Sequence, residues 1–328
     1  MLRSFTFCLL AVGLLSCQPA FKDIKETQFL LGTLVEFTIY TDDENQALEA
    51  INLAAQEMRR VEALFTTFGA VENSVKQFNR APEQVWVRLD KEVEGLLLQA
   101  LEIHKATNGA FDPTLGQLNK LWAFSGKVAP KTPPTQKEIQ IALAQSGARN
   151  LQYSEQGWTK KVKGLALDFG AIAKGYAIDR GISIFKQLGV KHAIINAGGD
   201  MRILGSHGTQ PWRIAIRHPR HDKPLGWIEV DKDTSIVTSG DYERFYMYQG
   251  QRYHHILNPR TGSPSTEHQS VTVVAFDATL ADAWSTGLFV LEKNRGAKMI
   301  GTKQVSGALW ISKDGEVSLQ GDFLLHQR

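Results

Sequence analysis

Cysteine is almost absent from this chain of 328 residues, which contains only Cys8 and Cys17. Both lie near the start, so residues 18–328 have no disulfide, no thiolate metal site and no cysteine nucleophile. A chain of this length does not need covalent cross-links, because the fraction of surface buried on folding rises with size. The chemistry must therefore come from other residue types.

Other missing features narrow the function further. No Gly-x-Gly-x-x-Gly sequence follows a predicted strand, which argues against a Rossmann dinucleotide site, and there is no Gly-x-Ser-x-Gly nucleophile elbow. The net charge of +3 is too small to indicate nucleic-acid binding, and no basic run is interleaved with aromatic residues. We therefore expect no nucleic-acid partner.

The first 17 residues follow the pattern of a bacterial lipoprotein signal. A short positive segment precedes an apolar stretch at residues 5–15, which is too short to span a bilayer. The sequence Leu-Leu-Ser-Cys17 resembles a lipobox, in which the signal is cut before a cysteine that then carries lipid. We expect a signal peptide at residues 1–16, one functional domain at residues 17–328 and an acyl anchor on Cys17 at the periplasmic side of a membrane. The alternative is an ordinary signal peptide with an unrelated cysteine.

The hydrophobic periodicity predicts a chain of mixed α and β structure. Helices are predicted at residues 43–65, 90–107, 135–145, 172–188, 279–291 and 293–300. Strands are predicted within residues 26–40, 151–167, 193–196 and 201–276, and in a hairpin at 305–319; an exposed loop is predicted at 125–134. Runs of strands with helices grouped beside them favour an α+β fold over a doubly wound sheet.

Asp282 and Thr286 stand in an apolar segment near the C-terminal end. They are four residues apart and share one face of the predicted helix. Two hard oxygen donors on one turn suit Mg²⁺, which completes its octahedron with water and substrate phosphate. The alternative is structural: Asp282 would interact with the helix dipole, and Thr286 would donate to a backbone carbonyl.

A second chemical pattern lies at residues 167–176, where a strand is expected to end at Asp168 and a helix to begin. The amino end of a helix offers free N–H groups to an anion. The helix dipole disfavours a lysine in the first turn, so Lys174 indicates a negative ligand nearby. The alternative is that Asp168 is a simple N-cap and Lys174 is solvated.

Residues 195–200 end in Gly198-Gly199-Asp200 after a predicted strand. Paired glycines permit a ligand to approach the backbone closely. They are equally typical of a simple turn, and the sequence does not separate the two interpretations.

His254 and His255 are adjacent in a predicted strand, so their side chains are expected to point to opposite faces. Histidine is the natural general base near neutral pH, and one of the two could face a site. Both could equally be structural. The following Asn258-Pro-Arg-Thr-Gly262 predicts a turn in either case.

Together these segments resemble the ApbE family of FAD:protein FMN transferases. The resemblance is carried, in order, by residues 168–176, 196–200, 238–242, 255–262 and 281–286. It extends to Leu31-Gly-Thr, Phe68, Gln77-Phe-Asn79 and Ala110-Phe-Asp-Pro-Thr, and so covers nearly all of the chain after Cys17. The fold it implies is an ApbE-like, T-fold-like architecture with mainly antiparallel sheets and flanking helices.

The resemblance also implies roles for individual residues. Mg²⁺ would be held by Asp282, Thr286 and the backbone carbonyl of Ala171, and His255 matches the histidine proposed as the base. FAD would lie along Leu31, Phe68, Ala110, Phe111, Asp112, Asp168, Lys174 and Ile256. The family often has methionine where Leu31 stands, a change that conserves volume.

The implied reaction is Mg²⁺-dependent transfer of FMN from FAD to a Thr or Ser hydroxyl of a target flavoprotein, with release of AMP. The target could be a subunit of a membrane redox complex. An FAD pyrophosphatase with the same metal site would use water as the acceptor instead. A flavin-binding lipoprotein without catalysis is the third interpretation, and it would not need the metal ligands or His255.

Overall fold

The structure is a computed structural model that describes residues 20–124, 132–301 and 305–327. The predicted signal peptide, Cys17 and most of the loop predicted at 125–134 lie outside these ranges. The helices are α1 (Glu44–Phe65), α2 (Ser74–Arg80), α3 (Lys91–Ala106), α4 (Gly116–Trp122), α5 (Gln136–Ala144), α6 (Ala173–Gln187), α7 (Ala278–Val290) and α8 (Lys293–Ala297). No helix in the described ranges is both long and apolar enough to cross a membrane.

Most strands belong to one large sheet, and three hairpins stand apart from it. The strands are β1 (Lys22–Leu30), β2 (Thr33–Thr41), β3 (Leu151–Ser154), β4 (Gly157–Lys160), β5 (Ala193–Ala197), β6 (Asp200–Leu204), β7 (Trp212–Ile216), β8 (Gly226–Val230), β9 (Thr234–Gly240), β10 (Phe245–Tyr248), β11 (Gln251–His254), β12 (His268–Ala275), β13 (Gly307–Ser312) and β14 (Val317–Gly321). The eight-stranded sheet has the order β1-β2-β5-β6-β9-β12-β13-β14, and every neighbouring pair is antiparallel. The hairpins are β3-β4, β7-β8 and β10-β11.

The two faces of the sheet pack against different layers. Along β9, Ile236 belongs to a cluster with the β7-β8 hairpin, whereas its neighbour Val237 belongs to the main core with the helices. β13 alternates in the same way, with Leu309 on the hairpin side and Trp310 on the helix side. This period of two is what a strand buried on both faces requires. The expected α+β fold with mainly antiparallel sheets and flanking helices is confirmed.

Local sequence signals explain where several helices begin. Asp43 caps α1 by accepting a hydrogen bond from the Gln46 amide at 2.9 Å. Thr135 and Glu138 form the capping box of α5, with bonds in both directions between the side chains and the backbone. Both starts agree with the sequence prediction.

A separate small cluster supports the β10-β11 hairpin. Trp122 of α4 stacks on Tyr253 of β11, and Tyr253 stacks on Tyr246 of β10, with ring centroids 5.7 and 5.5 Å apart. The Trp122 indole donates a hydrogen bond to the Gly262 carbonyl at 2.8 Å. The hairpin and the turn at residues 258–262 are therefore fixed relative to the rest of the fold.

The structure also corrects the sequence prediction in places. The short helices α2 and α4 were not predicted, and of residues 151–167 only β3 and β4 are strands. Asp168 is not the N-cap of α6, because a turn intervenes and Ile172 occupies that position without a side-chain cap. Asp168 instead accepts a hydrogen bond from the Gly170 amide at 2.8 Å, so it stabilises the turn before the helix.

Candidate functional site

Asp282 and Thr286 lie on α7, which is buried along almost its whole length. The helix is capped by Asp277, so Asp282 is in its interior and is not an N-terminal residue. Asp282 is only 5% exposed, while Thr286 one turn later is partly accessible. The prediction that both share one helix face is confirmed, and the interpretation of Asp282 as a residue at the helix terminus is wrong.

The start of α6 packs directly against Asp282. The Gly175 amide donates a hydrogen bond to the Asp282 carboxylate at 3.0 Å. A Cβ atom at Gly175 would lie 2.1 Å from the Ala278 carbonyl oxygen, so only glycine allows α6 and α7 to approach this closely. Ala171, four residues before Gly175, lies in the turn that leads into α6.

The Asp282 carboxylate is in an environment that suits a bound cation. Burial and the charge of Asp200 raise its pKa to about 7, and Lys174 opposes this shift. A hard cation would stabilise the ionised form, and carboxylate, hydroxyl and carbonyl oxygens are the donors that Mg²⁺ prefers. Within the described ranges no three His, Cys, Asp or Glu residues form a metal-binding group. A site here would therefore use one carboxylate with neutral oxygens, a donor set that Asp282, Thr286 and Ala171 can supply.

Lys174 and Asp200 form an ion pair next to these residues. The Lys174 ammonium lies 2.5 Å from an Asp200 carboxylate oxygen, and the Asp200 side chain is 3% exposed. The other Asp200 oxygen accepts a hydrogen bond from the Thr238 amide at 3.2 Å. Burial acts to lower the pKa of Lys174, but Asp200 and Asp282 raise it overall, so the lysine stays charged. Lys174 is thus held by a carboxylate and is not simply solvated.

Ser239 of β9 connects the central sheet to α7. Its hydroxyl lies 2.8 Å from the Ser285 hydroxyl and 3.3 Å from that of Thr286. The Ser285 hydroxyl also donates to the Asp282 carbonyl at 2.9 Å. These contacts limit the orientations that the Thr286 side chain can take.

His255 follows the β10-β11 hairpin and lies beside Arg244. Its backbone amide donates to the Arg244 carbonyl at 3.1 Å. Burial is the main cause that lowers the pKa of His255 well below 6.5, and the positive charges of Arg244 and Lys174 act in the same direction. The Nδ1 atom is buried and has no hydrogen-bond partner among the described residues. The imidazole is therefore neutral near pH 7, and its Nδ1 is a buried polar atom whose hydrogen bond is not made within the described residues.

His254 is the last residue of β11 and has surroundings different from those of His255. Its Nε2 atom lies 2.8 Å from the Ser265 carbonyl oxygen, and its ring packs edge-on against Phe289. These contacts are those of a structural histidine in the core.

The segment containing Ala110, Phe111 and Asp112 runs beside Asp168. The Asp168 amide donates to the Pro113 carbonyl at 2.9 Å. Ala110 and Phe111 are buried, and Phe111 packs near Gly287, so this segment reaches the carboxyl side of Thr286 on α7.

Two carboxylates in this region are also fixed by hydrogen bonds. Asp112 accepts from the Thr114 amide at 2.8 Å and from the Ala148 amide at 3.3 Å. Asp168 accepts from the Asn119 side chain at 2.8 Å. Both therefore have defined orientations without a ligand.

The remaining predicted flavin residues lie on other segments of the chain. Leu31 sits at the β1-β2 turn with φ of 55°, where its amide donates to Glu62 at 3.1 Å. Phe68 is 64% exposed, three residues after Phe65, whose ring packs on Phe169 and Tyr176. Ile256 directly follows His255 and is buried. Gly198 and Gly199 form the turn between β5 and β6 with positive φ, as the turn interpretation requires.

The sequence predicted no role for three residues of the site, which are Asp200, Ser239 and Arg244. Asp200 and Ser239 stood within the quoted motifs, but their contacts depend on the pairing of β9 with β6 and β12. Arg244 lies two residues beyond the motif at 238–242 and carries no pattern of its own. A signal that could have identified Asp200 is its position directly after paired glycines, where a carboxylate follows a tight turn.

The chain is similar to proteins of one family along most of its length. The model of the ApbE family matches residues 31–310. An FAD:protein FMN transferase of Klebsiella pneumoniae is 32% identical over 88% of this chain and 89% of its own length. One from Rhodobacter capsulatus is 30% identical over 90% of this chain, which spans 56% of that longer relative.

Solved structures show the same similarity. The crystal structure of the ApbE protein from Thermotoga maritima has a TM-score of 0.84 and 34% identity, covering 91% of this chain and 97% of that one. The flavin transferase ApbE from Vibrio cholerae has a TM-score of 0.78 and 26% identity, covering 92% and 97%.

Proposed function

The chain belongs to the ApbE family, and we propose that it is an FAD:protein FMN transferase. It transfers FMN from FAD to a Thr or Ser hydroxyl of a target flavoprotein and releases AMP. The observation that carries this proposal is that Asp282, Thr286 and Lys174 meet where α6 packs on α7, with His255 within electrostatic reach of Lys174. The family match covers all of these positions.

In the proposed reaction the acceptor hydroxyl oxygen attacks the phosphorus on the riboflavin side of the pyrophosphate. A new P–O bond forms, and the bond from that phosphorus to the bridging oxygen breaks, so AMP leaves with the electron pair. His255 accepts the hydroxyl proton, which its lowered pKa permits because the ring is neutral near pH 7. No covalent enzyme intermediate is needed, so positioning and charge compensation supply the catalysis.

Lys174 and the residues of α7 organise the phosphate end of the substrate. Asp282, Thr286 and the Ala171 carbonyl would hold Mg²⁺, which supplies charge compensation for the pyrophosphate and the leaving phosphate when bound. Ser239 restricts the Thr286 hydroxyl. Lys174, fixed by Asp200, places a positive charge close to the amino end of α6. This positive charge and the helix dipole both favour a phosphate group at this location.

We propose that the rest of FAD binds to residues beyond this phosphate site. Asp168 and Asp112, each fixed by hydrogen bonds, would orient the dinucleotide. Ile256 and the Ala110-Phe111 segment would contribute apolar surface. Exposed Phe68 and the turn at Leu31 would close over an aromatic ring of FAD.

A single incubation tests the proposal against its two rivals. The protein is mixed with FAD, Mg²⁺ and a purified periplasmic flavoprotein that lacks its covalent flavin. A fluorescent acceptor band that survives denaturing electrophoresis, with AMP released in equal amount, supports the transferase. Free FMN without a labelled acceptor would identify an FAD pyrophosphatase, and unchanged FAD would identify a flavin-binding protein.

We also propose that the protein acts at the periplasmic face of a bacterial membrane. Cys17, which lies outside the described residues, would carry the lipid that anchors it there. The proposal is supported by the lipobox and the apolar stretch that precedes it. An acceptor in a membrane redox complex fits this location.

A further inference from the structure

Arg244 and His255 lie directly opposite each other at the end of the β10-β11 hairpin. The register pairs Phe245 with His254, and the His255 amide bonds to the Arg244 carbonyl at 3.1 Å. Residues directly opposite in an antiparallel pair project their side chains to the same face. Arg244 therefore points to the face on which His255 meets the site.

The guanidinium of Arg244 lies within electrostatic reach of two separate parts of the site. Burial acts to lower its pKa, and the carboxylates of Asp168, Glu243 and Asp282 act in the opposite direction. Asp168 precedes α6 and Asp282 lies on α7, so Arg244 faces the region between these helices. Although protein atoms surround it, the residue as a whole is exposed, so a ligand can reach it.

A second cation has a physical use here. Lys174, paired with Asp200 at 2.5 Å, is the first cation at the site. A dinucleotide pyrophosphate carries two negative charges, which repel a hydroxyl nucleophile as it approaches. A guanidinium can form two parallel hydrogen bonds to phosphate oxygens, which a lysine ammonium cannot do with the same geometry.

We propose that Arg244 is a substrate-binding residue whose guanidinium contacts the pyrophosphate of FAD, at the phosphate that His255 faces. This assignment rests on the proposed function, since it takes FAD as the dinucleotide. The β10-β11 hairpin would then position two functional side chains on one face: His255 as the base and Arg244 as a residue that binds phosphate.

Another arginine of the same hairpin provides a matched control. Arg252 pairs with Met247 in the register, so its side chain projects to the opposite face from Arg244. Its guanidinium lies 3.9 Å from the centre of the Phe245 ring and 4.0 Å from Asp241. These contacts are structural and lie away from His255.

The experiment compares ligands with and without phosphate. Dissociation constants of FAD, riboflavin, ADP and adenosine are measured for the parent and for Arg244→Gln, Arg244→Lys and Arg252→Gln. Arg244→Gln should weaken FAD and ADP by roughly 10- to 100-fold, the range of a charge-assisted hydrogen bond. Riboflavin and adenosine should change by less than about 2-fold, since they lack the pyrophosphate. Arg244→Lys should recover part of the loss, and Arg252→Gln should bind all four like the parent.

The outcomes separate this inference from the proposed function. Equal weakening of FAD and riboflavin, or unchanged FAD binding by folded Arg244→Gln, would overturn the role of Arg244. A parent protein that binds FAD but labels no acceptor would instead reject the transferase. If Arg244→Gln does not fold, Arg244→Lys is compared with the parent. Weaker binding of FAD and ADP with riboflavin unchanged would then support the contact with the pyrophosphate, and equal weakening of FAD and riboflavin would overturn it.

Discussion

The Lys174 ammonium lies 2.5 Å from a carboxylate oxygen of Asp200, joining the first turn of α6 to the start of β6. The Asp200 side chain is almost fully buried, so its charge depends on this partner and on the Thr238 amide. The pair therefore serves two purposes in our interpretation. It keeps a lysine at the amino end of a helix, where the dipole disfavours it, and it stabilises a buried carboxylate.

Removing one partner of this ion pair should lower the stability of the fold. Lys174→Met leaves the Asp200 carboxylate buried without its cation, and we expect about 3 kcal/mol of lost stability in urea unfolding. The double variant Lys174→Met/Asp200→Asn should recover part of that stability, because the uncompensated charge is removed. It should not recover turnover, since the positive charge at the site is still absent. Recovery of turnover in the double variant would contradict a functional role for Lys174.

Asp282 provides the test of the metal assignment. Asp282→Ala should abolish Mg²⁺-dependent turnover, with a loss on the order of 10² or more, because a metal ligand supplies several kcal/mol. It also removes the acceptor of the buried Gly175 amide, so Asp282→Asn is the cleaner variant. FAD binding should persist in both, since its proposed contacts are spread over many residues.

A control on the same helix makes the measurement specific. Asp277→Asn preserves the N-cap bond to the Leu280 amide and should retain parent turnover. Activity of Asp282→Asn within a few-fold of the parent at saturating Mg²⁺ would be incompatible with a ligand role for Asp282.

The sequence predicted the helices of the site better than its contacts. Asp282 and Thr286 could be placed on one face because a helix has a fixed local period, and α7 has that period. The roles of Asp200 and Ser239 could not be predicted, because they depend on which strands become neighbours in the sheet. That order is set by packing between residues distant in sequence, which local patterns do not encode.

The same limit explains the other differences. α2 and α4 have seven residues each, too few for a helical period to be recognised. Aspartate is a common N-cap residue, which is why the sequence predicted this role for Asp168. In the structure its side chain accepts a hydrogen bond from the Gly170 amide, in the turn before α6, and does not cap the helix.

Glu57 links α1 to α6 and predicts how stability depends on pH. Hydrogen bonds from Arg60, and then from Arg180, lower its pKa from 4.5 to about 2 against the effect of burial. A carboxylate with a lowered folded-state pKa stabilises the fold above pH 4.5, and this contribution is lost as the pH falls from 4.5 towards 2.

The corresponding variant is Glu57→Gln. At pH 7 it should lose about 1–2 kcal/mol of unfolding free energy, less than the full pKa shift implies because both arginines are partly exposed. The difference from the parent should shrink between pH 4.5 and 3. Glu44→Gln, which breaks an exposed pair with Lys22, should change stability by less than about 0.5 kcal/mol at either pH. A Glu57→Gln deficit that stays constant with pH would contradict the assignment.

Anchoring is tested at Cys17. Cys17→Ser removes the thiol that would carry the lipid, so the variant should accumulate as an unprocessed precursor or appear in the soluble periplasmic fraction. Fractionation and metabolic labelling with a fatty acid measure this directly, and Cys8→Ser is the control because it lies inside the predicted signal. Normal membrane retention of unlabelled Cys17→Ser would exclude a lipid anchor at this position.

A variant of His255 distinguishes a role in substrate binding from a role in catalysis. If it is the general base, His255→Ala should retain FAD and Mg²⁺ but lose roughly 10² to 10⁴ in turnover. His254→Ala removes a buried ring that packs on Phe289 and bonds to Ser265, so we expect about 2 kcal/mol of lost stability. The folded fraction of that variant should keep the parent turnover, measured below its unfolding temperature. Equal turnover losses per folded molecule would show that His255 is structural.

The pH profile of the parent gives an independent test of the same assignment. Burial and the neighbouring positive charges hold the pKa of His255 well below 6.5, so the imidazole remains neutral and active at pH 6.5. At saturating Mg²⁺, which would keep Asp282 ionised, turnover should therefore fall only at lower pH, as the ring becomes protonated and can no longer accept the hydroxyl proton. Arg244→Gln removes one of the charges that depress this pKa, so the fall should move to higher pH in that variant, while Arg252→Gln should leave it unchanged. A profile that is flat to the onset of acid unfolding would mean that the hydroxyl is activated without His255.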